Sequence, residues 1–219
     1  MSEDSQSKKR ISELRREYSQ QALAESEVCE DPIDQFMEWF RQAYSADLLD
    51  VNAMTLSTAT KQGKPSSRIV LLKGVDEAGF RFYTNYGSRK GQELNENPHA
   101  ALCFYWAPLE RQVRIEGEVE RVSRSMSEDY FKQRPRESKL GAWASEQSTK
   151  VSSRKELENR FQEIKEQFEN QEVPLPDFWG GFLLRPQRIE FWQGRESRMH
   201  DRLCYEKLGT DWDIFRLAP

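Results

Sequence analysis

After Asn52 the hydrophobic rhythm of the chain switches from every third or fourth residue to every second, and that switch constrains the fold most. Before it, Ile33, Phe36, Met37 and Phe40 recur at i, i+3, i+4 and i+7 behind Asp31-Pro32, an N-cap followed by proline at the first helical position. The spacing predicts a core-facing helix. After it, 53–60, 67–73, 80–84, 100–106 and 112–122 read as strands, the first three divided by the turns Lys61-Gln62-Gly63-Lys64-Pro65 and Asp76-Glu77-Ala78-Gly79. A short helix over 88–95 precedes Asn97-Pro98. Helices follow over 125–134, 136–145 and 153–168, the last opened by a capping box of Ser153 and Glu156. Late strands read over 179–184, 188–193 and 213–217. Residues 1–10 read as a disordered polar start and 11–28 as a weakly amphipathic helix; with no internal linker, 11–219 reads as one domain. Meandering strands with helices in separate blocks predict an α+β domain around an antiparallel barrel or sheet. Alternating βα units with a glycine-rich first turn are absent, which argues against a dinucleotide-binding doubly wound domain.

Charge and cysteine usage exclude several function classes. Lys plus Arg number 33 against 37 Asp plus Glu, a formal charge of −4 over 219 residues, so the chain does not read as a general nucleic-acid binder. No apolar run reaches the roughly 18–20 residues of a membrane helix, and the first residues lack the apolar stretch of a secretory signal. Cys29, Cys103 and Cys204 are odd in number and far apart, which argues against a disulfide framework or structural zinc. The expectation is a reduced, cytoplasmic protein without a metal. No GxSxG, HExxH or Walker sequence is present, so nucleophilic hydrolysis and metal catalysis lack parts.

Cations and aromatics supply the remaining candidates. Arg198, His200 and Arg202 would share one face if 198–202 is extended, and such a face repels itself unless an anion or electron-rich ring neutralises it. A solvated surface with acidic partners is the plainer alternative. Just upstream, Glu190 and Trp192 alternate with Ile189 and Phe191, setting an indole on the polar face. Arg68 and Lys73 bracket an apolar run and, in a regular strand, point to opposite faces; they either snorkel or serve different anions. Gly87-Ser88-Arg89-Lys90 at a helix start suits a phosphate, or is an ordinary turn. Gln112 and Arg114 lie on the polar face of an alternating strand. Tyr130 and Arg134, with Ser138 beyond, form an i, i+4 pair able to clamp an anion or simply brace a helix. Arg15, Arg16, Glu17 and Tyr18 read as a surface segment or a mobile lid.

Taken jointly these residues resemble the pyridoxine (pyridoxamine) 5′-phosphate oxidase family. The resemblance runs through Arg15-Arg16-Glu17-Tyr18, RIVLLK at 68–73, FYTNYGSRK at 82–90, LERQVRIEG at 109–117 and YFKQRPRESKLGAWAS at 130–145. It continues through QS at 147–148, VPLPDFWGGF at 173–182, IEFWQGRESRMHDR at 189–202 and RLAP at 216–219, with Met199 where the family usually has Leu. It implies an FMN-binding split β-barrel of Greek-key type with peripheral helices, and a homodimer with FMN at the interface. It assigns Arg68, Arg89, Lys90 and Ser148 to the FMN phosphate. The rest of FMN falls to Ile69, Val70, Leu71, Leu72, Lys73, Tyr83, Thr84, Gln112, Gln147, Trp192 and Arg202. Lys73, Tyr130, Arg134 and Ser138 would bind the substrate phosphate; Arg198 and His200 would lie against the pyridine, with Arg15, Arg16, Glu17 and Tyr18 closing over it. Of these, Arg198, His200, Tyr18 and Arg15 are the candidate catalytic residues. The implied reaction oxidises pyridoxine 5′-phosphate or pyridoxamine 5′-phosphate to pyridoxal 5′-phosphate. Hydride passes from C4′ to flavin N5 and O2 is reduced to hydrogen peroxide, with ammonia released from the amine and direct handover of product to apoenzymes plausible. A flavin reductase using NAD(P)H and a non-catalytic flavin or pyridoxal phosphate binder are the competing readings.

Overall fold

The structure is a computed structural model that describes Tyr18 and residues 22–219; Arg15, Arg16 and Glu17 lie outside the described residues. The first helix, α1 (Pro32–Ser45), starts as its sequence requires, with the Asp31 carboxylate accepting from the Ile33 amide at 2.6 Å and Pro32 at the first position. Its buried face carries Phe36, Trp39 and Ala43. The strands are β1 (Ala53–Ala59), β2 (Pro65–Leu71), β3 (Gly74–Asp76), β4 (Gly79–Asn85), β5 (His99–Trp106), β6 (Arg111–Arg121), β7 (Trp179–Gln193), β8 (Asp201–Leu208) and β9 (Asp211–Arg216). Between them lie α2 (Arg89–Glu96), α3 (Arg124–Gln133), α4 (Arg136–Ala144) and α5 (Arg154–Gln167).

All strand pairs are antiparallel, in the order β2-β1-β5-β6-β7-β4-β3, with β8 added to β7 and β9 to β8. Strands β2 and β3 stand at opposite ends of that path, yet only Leu72 and Lys73 separate them in sequence. Three Cα steps reach at most about 11 Å, so the sheet must curl until its two ends meet. The Leu72 amide donates to Asn52 O and the Lys73 amide to Arg81 O, each at 2.8 Å, which ties the seam. The result is the antiparallel, curled barrel with peripheral helices that the strand pattern predicts.

Inside, alternation delivers Met54, Leu56, Phe80, Phe82, Phe104, Val113, Ile115, Ile189 and Phe191 to one cluster. Helix α1 adds Phe36 to it, with ring centroids 4.9 Å from Phe80 and 5.1 Å from Phe104, and Trp39 at 5.2 Å from Phe191. A second apolar cluster joins α3 and α4 to Phe168, Val173, Leu175 and Trp179.

Four expectations change. The strands expected over 179–184 and 188–193 are one strand, β7, which absorbs Pro186 at a bulge where Glu116 opposes Arg188 and Gly117 opposes Pro186. A Cβ on Gly117 would stand 2.0 Å from Arg185 O, so that crossing requires glycine. Strands β3 and β8 were not expected. The helix expected over 11–28 does not extend through 22–28, where one 3-10 turn (Glu25–Glu27) interrupts extended backbone. Long-range bonds draw this segment out: the Leu23 amide donates to Asp201 at 3.1 Å, and Leu23 O and Glu25 accept from Arg216 at 2.7–2.9 Å. The Ser153 cap on Glu156 forms, but the Glu156 carboxylate returns to Ser152 rather than to Ser153.

Phe36 is fully buried among aromatic rings, so Phe36→Ala is expected to cost about 3–5 kcal/mol of unfolding free energy. Urea denaturation checks this; a loss below about 1 kcal/mol would mean that α1 is not part of the core.

Candidate functional site

The turn from β4 into α2 builds the first group. Asn85 Oδ1 accepts from the Gly87 amide at 2.8 Å, and Ser88, fully buried, caps α2 by accepting from the Gly91 amide. A Cβ on Gly91 would meet Tyr86 O at 2.3 Å, so the helix can begin this close to the turn only with glycine there. Lys90 folds back, buried, with its Nζ donating to Thr84 Oγ1 at 3.2 Å and to Ser88 Oγ at 3.5 Å. Burial, and then the nearby Arg68 charge, lower its pKa. No carboxylate is among its partners in the described residues. Thr84 in turn donates to Gln147 Oε1 at 3.1 Å, and Asn85 Nδ2 to Ser145 O at 3.2 Å, which brings in the loop after α4.

Beside Lys90 stands a carboxylate that sequence reading missed. Glu93 accepts from Thr58, from Ser66 and from Arg89 (2.9 Å), and lies 3.4 Å from Arg68 Nη2. Burial alone would raise its pKa; the hydrogen bonds from Ser66, Thr58 and Arg89 outweigh that and pull it down to about 2. The Arg89–Glu93 spacing of i, i+4 was the available signal. Arg68 is correspondingly committed: Nη1 donates to Leu56 O and Thr58, and Nη2 to Ser66 and Glu93. Of its neighbours, Ile69 and Leu71 are exposed, Val70 is half-buried and Leu72 is buried. Ser148 is exposed with φ +74°.

The second group is an aromatic stack. Tyr83 lies 3.9 Å from Tyr130 and 5.7 Å from Trp179 in stacked geometry, and the Arg134 guanidinium sits 4.5 Å over the Trp179 ring. Arg134 Nη1 is buried with no hydrogen-bond partner. Arg134, Ser138, Asn85, Gln147 and Trp179 line a common cleft of 340 Å³, so this group adjoins the first. Lys73 is exposed at the β2–β3 seam.

The third group crosses β6, β7 and β8, where Gln112 pairs with Trp192 and Trp192 with Arg202. His200 stands 4.7 Å from the Trp192 ring, and Tyr18 meets both rings edge-on at 5.7 and 5.6 Å. Arg198, His200 and Arg202 do not share a regular strand, as the alternation argument expected. Glu196–Arg198 form a 3-10 turn with Ser197 and Arg198 at φ +55° and +61°, and β8 begins only at Asp201. Of the charged side chains grouped there, Arg202 is neutralised within the protein: buried Glu190 grips it at 2.9 and 3.0 Å. Beside it, Asp201 grips Arg216 at 2.6 Å. Glu190 was noticed only as an outward side chain; its pairing with Arg202 follows from a register that one strand alone does not reveal. His200 Nδ1 accepts from the Arg195 amide at 3.1 Å, so neutral His200 carries its proton on Nε2. Among the described residues no hydrogen bond, ion pair or ring contact links this third group to the first two.

Among the described residues no helix is long and apolar enough to cross a membrane. Residues 40–168 match the family model described as pyridoxamine 5′-phosphate oxidase, and residues 179–219 match the pyridoxine 5′-phosphate oxidase C-terminal dimerisation region. The chain is 54% identical over 209 residues to a pyridoxine/pyridoxamine 5′-phosphate oxidase of Cyanothece sp., covering 95% of this chain and 98% of that one. It is 57% identical over 210 residues to the protein of the same name from Trichormus variabilis, with 95% and 98% covered. Among solved structures, PhzG from Burkholderia lata 383, in complex with tetrahydrophenazine-1-carboxylic acid, superposes with a TM-score of 0.86 at 30% identity, over 92% of this chain and 100% of that one. A pyridoxamine 5′-phosphate oxidase-related, FMN binding protein from Nostoc punctiforme shares the fold with a TM-score of 0.68 at 16% identity, over 90% and 99%.

His200 titrates below its usual value of 6.5, first through burial and then through the Arg198 charge. A base whose pKa is depressed by folding stabilises the fold above its unfolded pKa and loses that contribution as pH falls through the folded one. Arg198→Met is therefore expected to raise the His200 pKa only part of the way back, read by NMR titration of the imidazole. An unchanged pKa would show that the two side chains are not electrostatically coupled.

Proposed function

The chain belongs to the pyridoxine/pyridoxamine 5′-phosphate oxidase family of oxidoreductases, and from that premise we propose that it oxidises pyridoxine 5′-phosphate and pyridoxamine 5′-phosphate to pyridoxal 5′-phosphate with FMN as resident cofactor. The observation that carries this reading is Lys90, a buried ammonium that meets hydroxyls and, among the described residues, no carboxylate. Burying an unpaired cation is costly, and a phosphate supplies the missing charge. The Nη1 of Arg134, buried without a partner among the described residues in a cleft that Asn85 and Gln147 also line, asks for a second anion in the same way. Two anion positions, the second beside stacked aromatic rings, suit a phosphorylated flavin beside a phosphorylated pyridine.

Lys90 would hold the FMN phosphate with Ser148, while Arg68 and Arg89 contribute charge more than free donors. The strand Ile69, Val70, Leu71 and Leu72, with Tyr83, Thr84, Gln112, Gln147, Trp192 and Arg202, would contact the rest of FMN. Bound there, FMN would supply the redox chemistry, as acceptor of hydride at N5 and as donor of electrons to O2 to give hydrogen peroxide. Lys73, Tyr130, Arg134 and Ser138 would anchor the substrate phosphate and so fix the position of the ring. His200, neutral and protonated on Nε2, offers a donor to the substrate ring. Arg198, held in a left-handed turn, would hold the ring with His200 and stabilise charge as C4′ is oxidised. Tyr18, already against Trp192 and His200, would exclude water together with Arg15, Arg16 and Glu17.

A homodimer completes this reading. Within one chain the groups around Lys90 and Trp192 are separate, and the family model over 179–219 is described as a dimerisation region. The outer face of β2, β1 and β5 presents exposed Ile69, Leu71 and Tyr105, an apolar surface that a second copy would cover. Lys90 of one protomer and Trp192 of the other would then contribute to a single FMN site. A cytoplasmic setting fits the three free cysteines.

Anaerobic titration of the purified protein with pyridoxine 5′-phosphate is expected to bleach the flavin absorbance, with recovery on admitting air. Bleaching by NAD(P)H instead would favour a reductase, and no bleaching by either a carrier. Arg198→Met is expected to lower kcat by about 100-fold or more with FMN retained; an unchanged rate would remove Arg198 from the chemistry. Lys73→Ala is expected to raise KM by about tenfold or more at constant flavin content. Loss of flavin from that variant would exchange the two phosphate assignments.

A further inference from the structure

Glu93 is a buried carboxylate inside an anion-binding surface, where a negative charge at first sight opposes the ligand. It lies on the same helical turn as Arg89 and Lys90, with its side chain only 5% exposed. Its Oε2 accepts from the hydroxyls of Thr58 and Ser66, and its Oε1 from Arg89 Nε at 2.9 Å. Because both hydroxyls give their protons to Glu93, each can turn a lone pair to Arg68. Thr58 accepts from Nη1 and Ser66 from Nη2, while Arg68 Nη2 also reaches Glu93 directly at 3.4 Å. One carboxylate thereby holds two guanidiniums, one of them three times over. Lys90, whose pKa is depressed by burial and then by the like charge of Arg68, receives no such partner among the described residues.

The charge count gives this arrangement a purpose. Arg68, Arg89 and Lys90 contribute three positive charges and Glu93 one negative, leaving a net of +2. A phosphate monoester carries about −1.5 to −2 at neutral pH. We propose that Glu93 is a positioning residue for this cradle: an internal counter-anion that keeps Arg68 and Arg89 gathered beside Lys90 while no phosphate is bound, and that trims the cradle's charge to match a single phosphate monoester. The inference rests on reading the cradle as the site of the FMN phosphate. Without Glu93 three cations crowd one another in the unloaded protein, and an entering phosphate relieves them. Removing its charge therefore makes the fold more dependent on phosphate, whereas loss of an ordinary packing contact would leave that dependence unchanged.

Glu93→Gln retains an oxygen for the two hydroxyls while deleting the charge and the acceptor that Arg89 uses. The test compares thermal melting of flavin-stripped protein alone, with FMN and with riboflavin, which has the same ring and no phosphate, at matched ionic strength. The stripped variant is expected to melt on the order of 5 °C below wild type. FMN should restore most of that difference and riboflavin none of it. Binding followed by flavin fluorescence should show the preference for FMN over riboflavin widened by about tenfold relative to wild type. Glu93→Asp, which keeps the charge, should stay near wild type. A Glu93→Gln variant that folds only in the presence of FMN is the same result in stronger form. An equal loss with and without either flavin, or a variant that folds under none of these conditions, overturns the inference and leaves Glu93 a structural contact. Wild-type protein that FMN stabilises no better than riboflavin would instead overturn the assignment of the phosphate site, and this inference with it.

Discussion

Leu72 and Lys73, the two residues between β2 and β3, govern the rest of the molecule. Strands that end a seven-strand path cannot be neighbours in sequence unless the path bends back on itself. Every strand is thereby given an inside and an outside, and period-two alternation sorts side chains between them. The inside takes the aromatic core on which α1 rests. The same closure carries Arg68, half-buried, toward α2 and leaves Lys73 exposed at the seam. The two cations that bracket the apolar run therefore do face different surroundings, through the end of β2 rather than through alternation alone.

Buried carboxylates decide which cations remain for anything else. Glu93 takes up Arg68 and Arg89, Glu190 takes up Arg202 and lies 3.5 Å from Arg114, and Asp201 takes up Arg216. Lys90 and the buried Arg134 nitrogen receive no carboxylate among the described residues. A net formal charge of −4 conceals this distribution entirely. It is the pairing of particular groups, fixed by strand register and helix phase, that leaves positive potential at the cleft. Because ion pairs within a protein are held at fixed distances, the unpaired cations are poised before any ligand arrives.

Much of the barrel was legible in the sequence because alternation and capping are local. Asp31-Pro32, the strand from 53, and the strand of Val113 and Ile115 need no information beyond a few neighbouring residues. Trp192 and Gln112 were also placed on the polar face by alternation, and Lys90, Thr84 and Gln147, which the family motifs drew into one list, are joined by hydrogen bonds. What could not be read depended on contacts distant in sequence. Pro186 looks like a strand end until β6 supplies Gly117 opposite it. The stretch 22–28 keeps no helix because Asp201 and Arg216, nearly two hundred residues away, bind its backbone. The left-handed turn at Ser197 and Arg198 has neither glycine nor asparagine to announce it. Glu93 and Glu190 escaped as site residues because an acidic residue next to basic ones looks like an ordinary surface pair until burial is known.

Strand β7 has a consequence for how the protein comes into being. It is hydrogen-bonded to β4 along its first half, to β6 along most of its length and to β8 along its last residues. Until residues 179–193 have been synthesised, β4 and β6 each lack a partner along one edge, and the aromatic core has no wall on that side. At ordinary translation speeds that wait lasts roughly 4–20 s. During this time two unpaired edges must be kept from pairing with other nascent chains. The barrel is thus a late event in the life of the polypeptide, and the ribosome or a chaperone is the first partner that most of this chain meets.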